Sequence, residues 1–298
     1  AIDSATDNTL AKINTKLITA FTSALGSKYN VIKVSDSIIN IKYETKFHNT
    51  RSYVSFHDTG INFVLNTEDY VLRKNILTQD MINESNTVYE IRYDFNLNDE
   101  EINIKENCIL SFVGGSLSNG TIIFNNTLLD GGDVLIECSC SGIVKNEMLS
   151  PNMFGSKQNG ITDDVPFIQQ TIDLLNQRGG GICKFKNGTY LIGSVNIELP
   201  NCTHKGALHI RSNISYIGEN NSVIKVKSNS DGYEGLFMGN DQYDSSNIKF
   251  ENIIFDFNGS KNLYKQEWVT AKQHFLGAAI RVCYAENVTV TNCTFKDN

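Results

Sequence analysis

The apolar positions near the start of the chain follow a helical period. They recur at alternating steps of three and four residues: Leu10, Ile13, Leu17, Ala20 or Phe21, and Ala24. This spacing places one apolar stripe along an α-helix, which we predict over residues 3–26. Two roles stay open for residues 1–30: a helix packed on its own domain, or a short helical bundle that joins identical subunits.

The next segment alternates apolar and polar residues, which is the period of a half-buried strand. Runs at 31–34, 38–41 and 53–56 show this alternation, and polar turns separate such runs. We therefore predict that residues 31–92 form a small β-rich or α+β domain.

Short strands separated by Gly and Asn begin at Tyr93. Apolar runs of this kind occur at 102–104, 109–112, 122–124 and 128–129. Short strands alternating with tight turns are typical of coils that stack and pair with their neighbours. Residues 93–150 are therefore predicted to form the first short rungs of a β-solenoid.

The segment from Phe154 to Ile192 combines a Gly-rich loop, an amphipathic helix and a strand. Its sequence begins FGSKQNGITDDVPFIQQTIDLLNQRGGG and ends ICKFKNGTYLI. Apolar residues at helical spacing, Pro166 in the first turn and three closing glycines predict a helix over residues 164–178. A helix at this place covers the open apolar end of a solenoid, so we call it the plug helix.

Asp163 and Asp164 come directly before the apolar face of the plug helix. Adjacent carboxylates can hold a metal or act in catalysis. A carboxylate at a helix N-terminus also accepts free N–H groups and faces the positive end of the helix dipole. We interpret both residues as a structural helix cap, and we assign no catalytic residue, cofactor or metal site in the chain.

Residues 154–192 resemble the opening motif of the pectate-lyase-like right-handed β-helix superfamily, which includes polysaccharide lyases, glycoside hydrolases and phage tailspikes. The matching residues are Phe154, Gly155, Gly160, Thr162, Asp163, Asp164, Ile168, Gln169, Ile172, Asp173, Gly179, Gly180, Gly181, Phe185, Gly188, Thr189, Tyr190 and Leu191. Asn159 replaces the usual Asp, and Lys186 stands where Pro is common. The resemblance implies a right-handed parallel β-helix (solenoid). The fold class that we expect is therefore mostly β, with this β-helix preceded by the N-terminal helix and the small β-rich domain predicted above. Because fold and activity are separable, it implies no single activity.

The sequence after the plug helix contains a repeat. Residues 247–255 (NIKFENIIF) align with residues 287–295 (NVTVTNCTF), and residues 214–226 give an earlier copy. Alternate apolar residues are expected to face inward, as in stacked coils. Asn252 and Asn292 occupy equivalent corners, where we expect their amides to stack into a ladder.

We assign residues 151–298 to the pectate-lyase-like β-helix. Ending a β-helix at Asn298 would expose unpaired strand edges and an uncovered core. We therefore expect the β-helix to continue beyond this residue.

The composition and charge mainly exclude classes of function. The chain has 298 residues, of which 40% are hydrophobic and 20% charged, and its net charge is −7. An acidic chain without a basic stripe argues against nucleic acid as a partner. No apolar run of about 18 residues occurs, so membrane insertion is not predicted.

The seven cysteines are an odd number and predict no disulfide framework. Cys138 and Cys140 face the same side of one strand, but no second Cys or His pair accompanies them to bind zinc. Cys108 and Cys183 lie in apolar runs and are predicted to be small core residues. Reducing assembly conditions, such as a cytoplasm, fit this usage.

Two insertions in the repeat contain the candidate glycan contacts. They lie at residues 229–245 and 259–277, and the candidates are Tyr233, Tyr243, Tyr264, Trp268 and His274. Loops that leave a scaffold commonly bind ligands, and aromatic faces stack on sugar rings. The alternative is that these side chains pack on the solenoid wall or at a subunit interface.

A rung-like segment ahead of the plug helix resembles proteins of gut Bacteroidetes-type bacteria and of their phages, including crAss-like tail proteins. This resemblance covers residues 90–298 and implies a virion tail fibre or tailspike that assembles in the host cytoplasm as a homotrimer. Residues 1–92 would attach to other tail proteins, and the β-helix would bind host surface polysaccharide.

Two alternatives stay open. One is a secreted or cell-surface polysaccharide lyase or glycoside hydrolase of the same superfamily, and the other is a structural solenoid without glycan affinity. The segment 193–298 lacks the signatures of the family-28 glycoside hydrolases. Lyases of this fold hold Ca²⁺ with Asp or Glu and use an Arg or Lys base; Asp256 and Arg281 could only be forced into those roles, and we interpret both as solvated side chains.

Overall fold

The computed structural model of the chain describes residues 9–25, 29–35, 38–43, 75–195, 197–198, 205–230, 232–239, 245–262 and 277–297. The chain divides into two compact units, Ala1–Asn66 and Thr67–Asn298. Strands far outnumber the two α-helices, and most strands pair in parallel. The protein is therefore mostly β with parallel sheets, as the sequence predicts.

The described residues of the first unit form one helix and a two-stranded antiparallel sheet. The helix α1 spans Leu10–Leu25, and the strands β1 and β2 span Tyr29–Ser35 and Ile38–Tyr43. The predicted N-terminal helix is confirmed over its described part. The strand predicted at 53–56 lies outside the described residues.

The apolar stripe of α1 is only partly covered. Ile13, Leu17 and Phe21 each remain half-buried, whereas the polar Asn14 is 4% exposed. The helix packs on β1 and β2 within its own unit. Apolar surface therefore remains along the helix.

The second unit begins with a series of short strands. Their bounds are β3 Val88–Ile91, β4 Asp94–Asn96, β5 Glu101–Asn103, β6 Ile109–Phe112, β7 Ser116–Asp130, β8 Ile136–Val144 and β9 Met148–Leu149. Every pairing among β3 to β8 is parallel. Successive passes of the chain lie side by side, with Val88 beside Ile109 and Ile109 beside Leu128. We call β3 to β8 the first stack.

A second series of strands follows, together with one helix. The bounds are β10 Asn159–Asp163, α2 Val165–Arg178, β11 Gly181–Phe185, β12 Gly188–Ile192, β13 Ile197–Glu198, β14 Lys205–His209, β15 Ile214–Val226, β16 Gly235–Met238, β17 Ile248–Asp256, β18 Ala278–Arg281, β19 Val288–Thr291 and β20 Thr294–Lys296. Short 3₁₀ turns lie at Gln79–Met81, Pro151–Phe154 and Gly259–Lys261. We call β9 to β20 the second stack.

The second stack is also built by parallel pairing. The strand β11 lies between β9 and β15, β12 lies between β10 and β15, and β17 pairs with β15 on one side and with β19 and β20 on the other. A further parallel sheet contains β14, β16 and β18, with β13 antiparallel at its edge. The register places Phe250 beside Val290 and Phe255 beside Phe295. The sequence repeat of residues 247–255 and 287–295 is thus confirmed as adjacent, aligned strands.

Inward-facing residues form continuous columns through the second stack. One column contains Leu149, Cys183, Tyr216, Phe250 and Val290, in that order. The rings of Tyr216 and Phe250 stack with centroids 4.6 Å apart. Both rings are fully buried, and each such side chain contributes roughly 2–3 kcal/mol relative to exposure. The columns are therefore the core of this part of the molecule.

Asparagine residues allow the sharp corners between strands. Most non-glycine residues with positive φ in the described ranges are asparagines, which tolerate the left-handed region better than other side chains. The amide ladder forms at Asn213, Asn247 and Asn287, with bonds of 2.9 Å and 3.0 Å between successive side chains. Asn252 and Asn292, where the ladder was predicted, adopt the left-handed conformation but form no such pair.

The helix α2 is the predicted plug helix, and it closes strand edges with glutamine side chains. Gln170 accepts the N–H of Cys140 and donates to the carbonyl of Cys138, while Gln177 accepts the N–H of Gly142. Those three backbone groups belong to β8, the last strand of the first stack. On its other side, Gln169 pairs with both backbone groups of His209 in β14. The last helical residue is Arg178, and Gly179 follows it with a left-handed φ of 100°.

The boundary between attachment domain and rungs differs from the predicted one at residues 92–93. Parallel pairing already includes β3, and an isolated parallel bridge joins Ile76 to Asn96. The second unit begins at Thr67. In strands of three or four residues, the alternation of apolar and polar residues is too short to show from the sequence which strand each one pairs with.

Candidate functional site

Asp164 connects the loop before the plug helix to the neighbouring sheet. Its carboxylate is fully buried, and Oδ1 accepts hydrogen bonds from Ser156 Oγ at 2.8 Å and from the N–H of Lys157 at 2.9 Å. Its Oδ2 accepts the N–H of Leu191 in β12 at 3.0 Å. The side chain makes no capping bond to the helix, because its oxygens face the loop and the sheet. This differs from the predicted cap.

Asp163 does contact the start of the helix. Its Oδ1 accepts the N–H of Val165, the first helical residue, at 3.1 Å and that of Gly193 at 2.9 Å. Its Oδ2 accepts a hydrogen bond from Ser194 Oγ at 2.7 Å. Because the protein itself occupies the oxygens of both carboxylates, the pair organises local structure and offers no site for chemistry.

Among the predicted glycan contacts, only Tyr233 lies within the described residues. Tyr243, Tyr264, Trp268 and His274 fall outside them. Tyr233 is 8% exposed and belongs to the apolar core, and burial raises the pKa of its phenol. Its ring therefore packs inside the stack, in line with the alternative of wall packing.

Asp256 and Arg281 are engaged in ion pairs rather than solvated. Asp256 is 7% exposed, and its Oδ2 lies 3.7 Å from Nζ of Lys225 and 3.4 Å from Nζ of Lys296. Arg281 pairs with Glu234. The interpretation of both as solvated side chains was wrong. For Asp256 the reason is the parallel register, which places Lys225 and Lys296 beside it.

A groove of about 580 Å³ lies where the first and second stacks meet. Asp94 and Asp133 line one wall, which is formed by turns and strand ends of the first stack. Met148 of β9 lies between the walls, and Lys184 and Lys186 line the opposite wall, in and just after β11. The groove is therefore assembled from segments that are distant in sequence.

Glycine residues form the turns of the first wall. A Cβ at Gly115 would lie 2.3 Å from the backbone N of Tyr93, and one at Gly131 would lie 2.5 Å from the carbonyl of Phe112. Larger residues therefore cannot occupy these two turns without moving the adjacent strand. At Gly132 a Cβ would meet nothing within 4 Å. The wall consequently presents bare backbone at these glycines, beside the side chains of Asp94 and Asp133.

The groove combines an apolar surface with charged groups on both walls. Met148 is 54% exposed, which is high for a large apolar side chain. Lys184 alternates with the buried Cys183 and Phe185 along β11 and so faces outward. Asp94 and Asp133 are exposed on the opposite wall. Such a surface offers hydrogen-bond acceptors, cations and an apolar contact to one ligand.

Sequence reasoning missed this groove. Its lining residues come from separated turns and strands, and no spacing in the sequence brings them together. One sequence feature of the groove wall was visible: Lys186 stands where Pro is common in the motif that residues 154–192 resemble.

Burial makes the thiols of Cys138, Cys140 and Cys183 poor nucleophiles. Burial raises the pKa of the Cys138 thiol to about 12, and it also raises those of Cys140 and Cys183. A thiol that stays protonated is a poor ligand and a poor nucleophile. Within the described ranges, no cluster of three or more His, Cys, Asp or Glu side chains forms a metal site.

Neither helix in the described part of the chain is both long enough and apolar enough to cross a bilayer. Comparison of the chain with protein-family models, with curated proteins and with solved structures finds no match.

Proposed function

We propose that the second unit is a right-handed parallel β-helix and that the protein is a phage tail fibre or tailspike. Parallel pairing of successive passes, inward columns and a helix between the stacks support the fold. The resemblance of residues 154–192 to the pectate-lyase-like motif supports the superfamily. In this proposal the β-helix binds polysaccharide on the host surface.

The groove between the stacks is the observation that carries glycan binding. A sugar ring has an apolar C–H face, which fits the exposed Met148, and hydroxyl groups, which fit the carboxylates of Asp94 and Asp133. Pockets that combine apolar surface with a few polar groups are the usual sites for small ligands. The open groove also admits a chain that extends beyond one sugar.

The first unit is proposed to join three subunits and to attach them to other tail proteins. The half-buried stripe of α1 supports this role, because a second and a third copy would cover it. A homotrimer has three times the chain mass of 33.2 kDa. Light scattering on the full chain measures this mass directly, and a monomer at micromolar concentration would refute the trimer.

Glycan binding is tested by adsorption of the labelled protein to a panel of gut Bacteroidetes strains. We expect binding to some strains, competed by the purified surface polysaccharide of the same strain. Met148→Asp should weaken this adsorption about tenfold, since it places a charge where a sugar face lies. Ile161→Asp is the matched control, because Ile161 is 81% exposed and does not line the groove.

A depolymerase of the same superfamily is the second candidate, favoured by the carboxylates of Asp94 and Asp133 on one groove wall. Glycoside hydrolysis ordinarily needs two carboxyl groups. Incubation of the bound polysaccharide with the protein distinguishes the two functions. Release of new chain ends, abolished in Asp133→Asn, supports the enzyme, and an unchanged polysaccharide supports the fibre.

A further inference from the structure

The loop before the plug helix holds the side chain of Asn159 by its carbonyl oxygen. Oδ1 of Asn159 accepts the backbone N–H of Ile161 at 2.9 Å and that of Thr162 at 2.9 Å. Its Nδ2 donates to the hydroxyl oxygen of Thr162, 3.3 Å away. Two N–H groups directed at one carbonyl oxygen are the arrangement that stabilises an oxyanion when a nucleophile adds to the carbonyl carbon.

A nucleophile follows this carboxamide directly along the chain. The backbone N of the residue after an asparagine can add to the side-chain carbonyl carbon and close a five-membered imide ring. Here that residue is Gly160, which has a φ of 69° and, without a Cβ, puts no side chain in the way of the approach. Asn159 is exposed, so water reaches the ring that forms.

The other Asn–Gly pairs of the chain differ in how their carboxamides are held. The sequence contains four such pairs, which begin at Asn119, Asn159, Asn187 and Asn258. Asn258 is 5% exposed, and its Nδ2 donates to the carbonyl of Val226. The N–H of Gly259, the nucleophile of that pair, donates to the carbonyl of Asp297. Asn258 is therefore protected and serves as the reference site.

The carboxamides of the two remaining pairs contact neighbouring turns. Oδ1 of Asn187 accepts the N–H of Asn221 at 3.2 Å, and Nδ2 of Asn119 donates to Oδ1 of Asn96 at 3.1 Å. Within the described part of the chain, Asn159 is the member of the four whose carbonyl oxygen accepts two N–H groups.

We propose that Asn159 is a site of self-catalysed deamidation, which the fold of its loop promotes. The N of Gly160 forms a bond to Cγ of Asn159, the Cγ–Nδ2 bond breaks, and the side-chain nitrogen leaves as ammonia with the proton of the Gly160 N–H. The N–H groups of Ile161 and Thr162 stabilise the oxyanion. The Thr162 hydroxyl relays the proton to the leaving nitrogen.

The same two N–H groups favour aspartate as the product. Water that adds to Cγ of the imide gives aspartate at position 159, whereas water that adds to the backbone carbonyl carbon gives isoaspartate. The donors polarise the Cγ carbonyl and then bind the new carboxylate, and hydrogen bonds to a charged acceptor are stronger than those to a carboxamide. The loop before the plug helix thereby gains a negative charge.

The test compares the full-length protein, folded in buffer and unfolded in guanidinium chloride, during incubation at the same neutral pH. Digestion and mass spectrometry then follow each Asn–Gly peptide. Asn159 should deamidate about tenfold faster in the folded chain than in the unfolded chain. Asn258 should deamidate more slowly in the folded chain, because its groups are buried and hydrogen-bonded. A rate at Asn159 that is no higher in the folded chain would overturn the proposal.

The variant Thr162→Val tests the hydroxyl, and Thr121→Val in β7 is the matched control. The first should slow the reaction at Asn159 in the folded chain, the second should leave it unchanged, and Thr162→Ser should keep the wild-type rate. Circular dichroism checks that each variant is folded. An unchanged rate in folded Thr162→Val would refute the role of the hydroxyl.

The products give an independent readout. The ratio of aspartate to isoaspartate at position 159 should be higher in the folded chain than in the unfolded chain, and Asn159→Asp supplies the standard for the aspartate peptide. Equal ratios in the two states would refute the role of the two N–H groups in product formation.

Discussion

The carboxylate of Asp164 shows how one residue can join two parts of this molecule. It is wholly buried, yet it accepts hydrogen bonds from the loop before the plug helix and from Leu191 of β12. A buried charge is stable only when donors surround it, and here backbone N–H groups supply most of them. Removal of the carboxylate would leave those buried donors unsatisfied.

Asp164→Ala is therefore expected to lower the free energy of unfolding by about 3 kcal/mol. Asp163→Ala removes a similar number of hydrogen bonds from a less buried position and should cost about 1 kcal/mol. Urea unfolding followed by circular dichroism measures both. A larger loss in Asp163→Ala than in Asp164→Ala would show that burial is not the deciding factor.

The buried thiols predict a loss of stability in alkaline solution. Burial, and to a smaller extent the Glu137 carboxylate, raises the pKa of Cys138 from 9.0 to about 12. Above pH 9 the unfolded chain loses this proton and the folded chain keeps it, so ionisation favours unfolding. The stabilisation of the folded state by the protonated Cys138 thiol is complete below pH 9.0 and is lost as the pH rises toward 12.

Thermal unfolding from neutral pH upward through this window measures the effect. The melting temperature of the wild type should fall more steeply than that of Cys138→Ala, which has no thiol at this position. Parallel slopes for the two proteins would contradict the assignment.

Among the elements, α2 has the most unusual role, because its side chains replace a neighbouring strand. Gln170 and Gln177 lie two turns apart and pair with backbone groups of β8 that no strand covers. A helix side chain that carries both a donor and an acceptor can satisfy a strand edge in this way. The first stack therefore ends without an exposed edge at these positions.

The double variant Gln170→Ala/Gln177→Ala should expose the edge of β8 to water. The N–H groups of Cys140 and Gly142 are expected to exchange with deuterium about tenfold faster, with little change in the rest of the first stack. Asn176→Ala is the control, since Asn176 is exposed on the same helix. Unchanged exchange at both amides would contradict this role of the glutamines.

The elements differ in how far the sequence determines them. The plug helix and the repeat of β17 with β19 and β20 were predictable, because glycines, proline and apolar spacing act within short windows. The partners of Asp164, the ladder position at Asn247 and the groove were not. Each depends on which residues of strands far apart in the sequence lie side by side. A single sequence does not show the register between such strands.

At the scale of the whole molecule, the second unit is held together by buried apolar side chains. The buried apolar cluster that begins at Leu77 extends through both stacks of the second unit. Each strand pairs with its parallel neighbours, so the buried core grows with the number of stacked strands. The second unit thus has its own core.

A shortened chain that begins at Thr67 is therefore expected to fold alone. Its circular dichroism spectrum should remain that of a β protein, and its melting temperature should stay within about 4 °C of the corresponding transition in the full chain. Under the trimer proposal it should also have a lower mass by light scattering. An unfolded product would show that the first unit is needed to fold the second.

The glutamine contacts of α2 also bear on how such proteins diversify. Side chains of a single helix pair with the free edge of β8, the last strand of the first stack. The strands that follow therefore need not match β8 in length or register. Recombination after the helix is then expected to leave the strand pairing of the first stack intact. The helix is in this sense a junction at which the strands that follow can be replaced without redesign of the first stack.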